Sequence, residues 1–337
     1  MAKPRKKTED KEAKLSLAVA LDFVKLAQVD KPNGVDLVTK THCRLAGNFA
    51  VAFDGVLALG HPIEEELSIC PHTYRLVDAL AKCKKAMSIT QLDGDRLVIK
   101  SGNFRVVIPC LNPAALPYAR PDDRAGDVTD ALKEGFAALN PIISGTGYTH
   151  VECSLLLNNN SMVATDRHIM LEYWHGINLP DGLAIPKAAL TAVGKIKLKL
   201  VGIGVSDRTV TFHYENGAWL RTQLYAEPWP DVYSVLNRGD PHAAVDVPPA
   251  FFDAVEAVAP FSDAGEVYTT DKGLASHNTE AAGATYELKG EPPGLCFNAK
   301  YLLTMKDTAK RIDLVGSNNV SFFYGDRVRG AISQRRG

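Results

Sequence analysis

The sequence predicts an α+β fold made of three similar domains in series. A helix-patterned stretch followed by strand, polar turn, strand, tight turn and strand occurs three times, with copies about 112 residues apart. The first copy runs from Pro71 through HTYRLVDALAKCKKA into SITQLDGDRLVIKSGNFRVVIP. The second runs from Pro186 through KAALTAVGKIKL into KLVGIGVSDRTVTFHYENGAWLRTQLY, and the third from Asn298 through AKYLLTMKDTAK into RIDLVGSNNVSFFYGDRVRGAIS. Polar turns at Asp93-Gly94-Asp95, Ser206-Asp207-Arg208 and Ser317-Asn318-Asn319 mark the same point in each copy. A repeat of this length can bury a core of its own, so it is a domain and not a solenoid unit.

The elements follow in order. Residues 1–14, MAKPRKKTEDKEAK, are nearly devoid of apolar side chains and predict a disordered, solvated basic tail, with a DNA-brushing arm as the weaker alternative. Each domain is expected to hold two βαβββ half-units. Domain one, residues 15–121, opens with LSLAV as a strand, then a helix near Ala20–Gln28 and strands in THCRLAG, NFAVAF and GVLALGHPI. The proline- and charge-rich stretch NPAALPYARPDDRAGD reads as a linker. Domain two, residues 122–236, opens with a helix near Val128–Leu139. Strands follow around HVECSLLL and SMVATD, with Asn158-Asn159-Asn160 as their turn. WPDVYSVLNRGDPH marks the next boundary. Domain three, residues 237–337, starts its helix AFFDAVEAVAPF at Pro248-Pro249, where a missing N–H matters least.

Composition excludes several classes. With 46% hydrophobic and 23% charged residues the chain reads as an ordinary water-soluble globular protein. No apolar run reaches the ~18–20 residues of a membrane helix, and no signal-peptide core follows the charged start, so a cytoplasmic location is expected. Cys43, Cys70, Cys83, Cys110, Cys153 and Cys296 are scattered without a CxxC pair, against a zinc site or a disulfide framework. The net charge of −1 removes an overall basic nucleic-acid binder, so attraction to phosphate must come from charge placement.

That placement is uneven. Along Thr73–Lys85, Leu76, Leu80 and Cys83 share the side that packs on a sheet, while Arg75, Asp78, Lys82 and Lys85 step along the outer side. In the second copy Leu190 and Val193 face inward, and Lys187, Thr191 and Lys195 repeat outward. In the third, Tyr301, Leu302, Met305 and Ala309 form the buried stripe, with Lys300, Lys306, Lys310 and Arg311 off it. Lys25 and Lys133 add cations in the first half-units. Any amphipathic helix has a charged outer face. Three equivalent helices with net positive faces in a nearly neutral chain point further, to a surface that meets a polyanion. Lysines without a base-reading constellation suit weak, sequence-blind phosphate contacts.

Three segments carry a family resemblance. MVATDRHIMLEYWHGINLPDGLAIPKAAL resembles the ATDGHRLA…IPRKAL signature of the bacterial DNA polymerase III β subunits, the sliding clamps. EPWPDVYSVL resembles that family's FPDY stretch, and FNAKYLL matches its FNxxYL helix start. The resemblance extends in order from about Leu15 to the C-terminus. It implies DNA-clamp domains, a head-to-tail homodimer forming a ring with helices inside and sheets outside, and encirclement of duplex DNA to tether the replicative polymerase. Such a tether needs no cofactor, metal or catalytic residue, and diffuse attraction lets it slide where base-specific bonds would pin it. The duplex-facing cations would be Lys25, Arg75, Lys82, Lys85, Lys133, Lys187, Lys195, Lys300, Lys306 and Lys310.

The family's pocket for short linear peptides of polymerase and clamp loader lies between domains two and three. Residue by residue it would take Thr165, Arg167, His168, Ile169 and Met170 from ATDRHIM. Pro230, Ser234 and Val235 would come from PDVYSV, Asn298 and Tyr301 from FNAKY, and Ser333, Gln334 and Arg335 from the tail. Two departures bear on peptide specificity: Arg167 stands where glycine is usual, and the chain ends AISQRRG where MPMRL is common. A divergent member, such as a phage-encoded one, would carry both.

Rival readings are weaker. Asp166 and His168 near Cys153 do not have the spacing of a metal box or a nucleophile–base pair. Gly145-Thr146-Gly147 and Asp93-Gly94-Asp95 are too short for phosphate or calcium loops. A trimeric clamp of two-domain subunits conflicts with three copies. A clamp-fold interaction or scaffold protein that does not encircle DNA stays open as the alternative.

Overall fold

A computed structural model describes residues 16–30, 38–279 and 283–335, so the expected tail over 1–14 lies outside the described residues. The chain divides into two compact units, Met1–Val128 with Ala188–Leu224, and Thr129–Lys187 with Tyr225–Gly337. The structure is mixed α and β, with antiparallel sheets dominant and helices few. Six helices longer than one turn stand out among the described residues: α1 (residues 16–24), α2 (Thr73–Lys82), α3 (Asp130–Leu139), α4 (Lys187–Lys195), α5 (Phe251–Val258) and α6 (Ala299–Thr304). From α2 onward each follows a short strand and precedes three strands, the predicted βαβββ order. Local chemistry sets their starts. Thr129 Oγ1 accepts from the Leu132 N–H at 3.3 Å before α3, and Asn298 Oδ1 accepts from the Lys300 N–H at 2.9 Å before α6.

In the first unit an eleven-stranded sheet runs in the order Met87–Leu92, Arg96–Ser101, Phe104–Leu111, Ser68–Pro71, Arg44–Ala46, Phe49–Phe53, Leu57–Pro62, Trp219–Gln223, Thr209–Tyr214, Leu200–Val205, Arg124–Asp127. Leu17, Leu21, Leu45, Leu59, Leu76 and Phe212 are fully buried in it. The second unit holds an eight-stranded sheet, Leu183–Pro186, Ser154–Leu157, Ser161–Thr165, Ile169–Trp174, Val328–Ser333, Val320–Tyr324, Arg311–Ser317, Val245–Asp246. A four-stranded sheet completes it: Thr285–Glu287, Gly273–Ala275, Glu266–Thr270, Cys296–Asn298. Phe251, Phe297, Phe322 and Phe323 fill that unit's core. The predicted turns hold where left-handed backbone is needed: Gly94 and Asp95 sit at φ 75° and 52°, Asn160 at 65°, Asn318 and Asn319 at 52° and 60°.

Four expectations are corrected. Residues 16–19 of LSLAV are helical, not a strand; Leu17, Ala20, Leu21 and Val24 lie three or four residues apart along one helix face and are all fully buried. Lys25–Ala27 only extends that helix as a 3-10 turn. Arg124–Asp127, read as linker, is a strand paired with Leu200–Val205, since backbone N–H and C=O groups pair whatever the side chains they carry. Pro248 and Pro249 precede α5 instead of filling its first turn, and the Phe251 N–H reaches Pro248 O at 2.9 Å. The third-copy helix stops at Thr304, so Ala309, Lys310 and Arg311 fall beyond it; Arg311 begins a strand.

One close approach between paired strands of the first unit requires a glycine. Gly60 lies opposite Trp219, and a Cβ built on it would stand 2.2 Å from the buried indole. Gly60→Ala is expected to cost about 1–3 kcal/mol by overpacking. Thermal denaturation would show this as a loss of roughly 2–4 °C per kcal/mol.

Candidate functional site

The candidate phosphate-contacting cations differ in what they touch. Arg75 and Lys82 on α2, Lys85 just after it, Lys195 at the end of α4, and Lys300 on α6 are exposed, and among the described residues none has a carboxylate partner. Lys300 lies 5.6 Å from the Tyr301 ring centroid. Four others carry their own counter-charge: Lys25 with Asp22, Lys133 with Asp130 at 3.6 Å, Lys306 with Glu256 at 2.8 Å and Asp253 at 3.8 Å, and Lys310 with Asp326. Exposed pairs of this kind add about 0–1 kcal/mol to stability, but they cancel the field a distant phosphate would feel. Lys187 is half-buried, with its ammonium donating to the Ile143 carbonyl. Among the described residues, cations without a carboxylate partner therefore concentrate in the first two copies.

Three lysines escaped the sequence reading. Lys84 adjoins Lys82 and Lys85, and Lys197 and Lys199 follow Lys195; all are exposed, without carboxylate partners among the described residues. Both triplets leave a helix C-terminus in the first unit, where the helix dipole favours cations. Helical periodicity hid them because the backbone there is no longer helical. Past the last residue of α4, Lys195, exposed Lys197 and Lys199 alternate with half-buried Ile196 and Leu198.

The candidate peptide residues all lie in the second unit, around the pairing of Ile169–Trp174 with Val328–Ser333. Asp166 Oδ1 accepts the His168 and Ile169 N–H groups at 3.0 Å each and closes a tight turn. The turn drives Arg167 to φ 77°, the left-handed region where glycine is unstrained. The Arg167 guanidinium is anchored on the Glu152 carboxylate. Thr165 is buried, and its hydroxyl donates to Ile169 O at 2.7 Å, so it braces the turn. The His168 ring stacks on Tyr301 with centroids 6.0 Å apart and planes 25° from parallel. Burial, then a hydrogen bond to Asp166, push the Tyr301 hydroxyl up to about 12, so it stays a donor at neutral pH. His168 O accepts the Ser333 N–H at 2.8 Å and the Ser333 hydroxyl at 3.0 Å.

Beside this polar rim is an apolar floor. Half-buried Met170 and Val235 pack on the cluster of Leu236, Phe322 and Ala331, and Met170 also reaches Leu156, Val163 and Val232. Ile169 is buried opposite Ile332. Pro230 and Ser234 are exposed on the connector, where Ser234 Oγ donates to Asp231 O at 2.7 Å. Asn298 is spent on capping α6. Gln334 is held by the Leu314 and Val315 carbonyls at 2.9 and 3.0 Å, and Arg335 by Glu266 at 2.8 Å. Tyr233 and Arg329 were missed. The Arg329 guanidinium lies over Trp174 and Tyr233, 5.4 and 5.9 Å from their centroids, and meets buried Glu172 at 2.6 Å. Their signal was long-range, since Glu172 and Arg329 meet only through strand pairing.

No family model and no curated protein sequence matches the chain. Solved structures do. The DNA polymerase sliding clamp of Pseudomonas aeruginosa is 16% identical with a TM-score of 0.78. The β sliding clamp of C. crescentus is 19% identical at 0.77, and the Helicobacter pylori β clamp bound to a DNA ligase peptide is 15% identical at 0.73. Each match covers 96% of this chain and 98% of the other. At such identity the likeness is one of fold, and it extends from end to end.

Proposed function

We propose that this chain is one subunit of a DNA sliding clamp, a cytoplasmic, non-enzymatic processivity factor that encircles duplex DNA and tethers a polymerase. The observation that carries it is the end-to-end fold match to bacterial β clamps at TM-scores up to 0.78. Domains over residues 15–121, 122–236 and 237–337 are part of the same reading. Lys82, Lys84, Lys85 and Lys195, Lys197, Lys199, without carboxylate partners among the described residues, supply sequence-blind attraction to phosphate.

Strand edges favour a head-to-tail homodimer. In the first unit the last strand of a first half-unit, Leu57–Pro62, pairs with the last strand of the next copy, Trp219–Gln223. In the second, Ile169–Trp174 pairs with Val328–Ser333 in the same way. Two strands of these kinds lack that partner among the described residues. Thr285–Glu287 ends its sheet, and Phe104–Pro109 is paired on one side only. A groove of about 340 Å³ beside the latter has Ala79, Phe104, Val106 and Ile108 on its apolar side and Arg75, Asp78 and Lys82 on its charged side. Thr285–Glu287 of one subunit docked on Phe104–Leu111 of the next would repeat the junction and remove both edges.

The rim of His168 and Tyr301 over the floor of Met170 and Val235 is read as the docking place for a short linear peptide of polymerase or loader. The Helicobacter pylori clamp bound to a DNA ligase peptide supports that class of partner. Met170→Ala with Tyr301→Ala is expected to weaken a partner polymerase's C-terminal peptide by at least about tenfold in a titration, since two half-buried contact side chains are lost. Retention on DNA should not change. Unaltered affinity would remove the assignment.

The test of encirclement is topological. Loaded protein should stay on nicked circular DNA and run off when that DNA is linearised. Equal retention on both would favour the competing reading, a clamp-fold scaffold that never closes around DNA. The paired Lys306 and Lys310 are the observation on that side.

A further inference from the structure

The first unit contains a second copy of the junction at which the candidate peptide groove sits. Asp54 Oδ1 accepts the Val56 and Leu57 N–H groups at 2.8 and 2.7 Å, as Asp166 does for His168 and Ile169. Gly55 takes the left-handed backbone at φ 105° where Arg167 takes it in the other copy. The Gln223 N–H reaches Val56 O at 3.0 Å, as the Ser333 N–H reaches His168 O at 2.8 Å. Ala119 of the connector packs on Val51, Ala58 and Trp219, as Tyr233 packs on Leu156, Val163 and Val232. The match extends through turn, strand register and connector.

The chemistry of this copy differs. A cavity of about 150 Å³ opens between the connector and the sheet, with Phe53, Val56, Ala58, Pro117 and Tyr118 among its walls and Arg221 on its polar side. Small-molecule sites usually enclose ~300–1,000 Å³, so this one suits a single inserted side chain. Val56 and Tyr118 are 43% and 54% exposed, unusually open for apolar and aromatic groups lining a cleft. The Arg44 and Arg120 guanidiniums both lie over the Tyr118 ring, 4.6 and 4.7 Å from its centroid. Among the described residues neither has a carboxylate partner, and Arg44 Nε and Arg221 Nε are buried without a hydrogen bond. The local carboxylates are committed. Asp122 takes the Thr209 and Thr211 hydroxyls and stands 3.6 Å from Arg221, while Asp54 closes the turn.

We infer that this groove docks a second short linear segment, an acidic one that inserts one apolar side chain over Phe53 and Ala58 and sets carboxylates on Arg120 and Arg44. Arg44 also donates to Pro113 O at 3.4 Å, but an open apolar slot beside guanidiniums without carboxylate partners among the described residues is complementary to that chemistry, since arginine forks bind carboxylates in bidentate fashion. Docking here depends on the repeated junction and not on ring closure, so it can fail while the clamp reading stands. The idea that the second unit's groove takes peptides supplies only the precedent of geometry.

The experiment uses the full chain and two fluorescein-labelled octapeptides with a central Leu-Phe pair, one flanked by glutamates and one by glutamines, read by fluorescence anisotropy. The glutamate peptide should bind at least about tenfold more tightly than the glutamine peptide, one charge-assisted contact's worth. Arg120→Glu and Tyr118→Ala, both at exposed positions, should each erase that advantage, while Tyr301→Ala in the other groove leaves it intact. Unchanged melting temperatures would establish that the variants fold. A photo-crosslinker in place of the peptide's phenylalanine should label Val56 or the segment 117–119. Equal binding of the two peptides, loss with Tyr301→Ala alone, or crosslinks only in the second unit would overturn the proposal. So would tighter binding of an oligo-dT octamer at Tyr118, which would make the cleft a nucleic-acid contact.

Discussion

Reversing Lys82, Lys84, Lys85, Lys195, Lys197 and Lys199 to glutamate is expected to abolish retention on circular DNA at physiological salt. These side chains are exposed and without carboxylate partners among the described residues, so their charge is available to phosphate and their replacement leaves packing untouched. Each phosphate contact contributes about 0.9 to the slope of log K against log salt. Six such contacts are worth roughly a thousandfold in affinity between about 50 and 200 mM salt, and glutamate adds repulsion to the loss. Melting temperature should match the parent protein, and because Lys82 also lines the groove beside α2, the dimer mass is measured alongside to separate lost DNA contact from lost assembly. Lys306→Glu with Lys310→Glu serves as the contrast: both cations already face carboxylates, so their reversal should change retention far less. Full retention by the six-fold variant would show that neither triplet meets DNA.

The second large effect concerns assembly. The parent protein should sediment at twice its 36.5 kDa subunit mass, and Phe104→Glu with Val106→Glu should sediment at 36.5 kDa. The two side chains lie on one face of a strand, two residues apart, above the groove beside α2. Both are only half-buried in the single subunit, so the substitution leaves its core intact. At a subunit contact each would place a carboxylate against apolar surface, a cost of several kcal/mol per buried ion. Loss of the dimer should bring loss of retention on circular DNA. A variant that stays dimeric would move the subunit contact elsewhere.

Much of the fold was legible because periodicity is local. Leu76 and Leu80 announce the buried face of α2, Asn298 announces the start of α6, and Asp95 and Asn318 announce turns; each signal lies within a few residues of what it specifies. The clamp-like resemblance of ATDRHIM, PDVYSV and FNAKY pointed to residues that lie around one strand pairing. The reading failed where the deciding partner is remote. LSLAV alternates weakly enough to pass for a strand, and only burial of Leu17 and Leu21 in the first unit makes it a helix. Arg124–Asp127 carries no strand pattern and is a strand because Leu200–Val205 offers it a partner.

By itself the sequence determined the repeat, the helix faces, the turn positions and the absence of a membrane-length apolar run. All of these depend on side-chain order over one or two turns of chain. Tertiary structure decided which lysines keep their charge free, since Asp253, Glu256 and Asp326 reach Lys306 and Lys310 from other elements. It also decided that the Asp54 turn and the Asp166 turn found the same kind of groove with different walls. Coulomb attraction and cavity shape depend on distances in space, and spacing along the chain does not encode them.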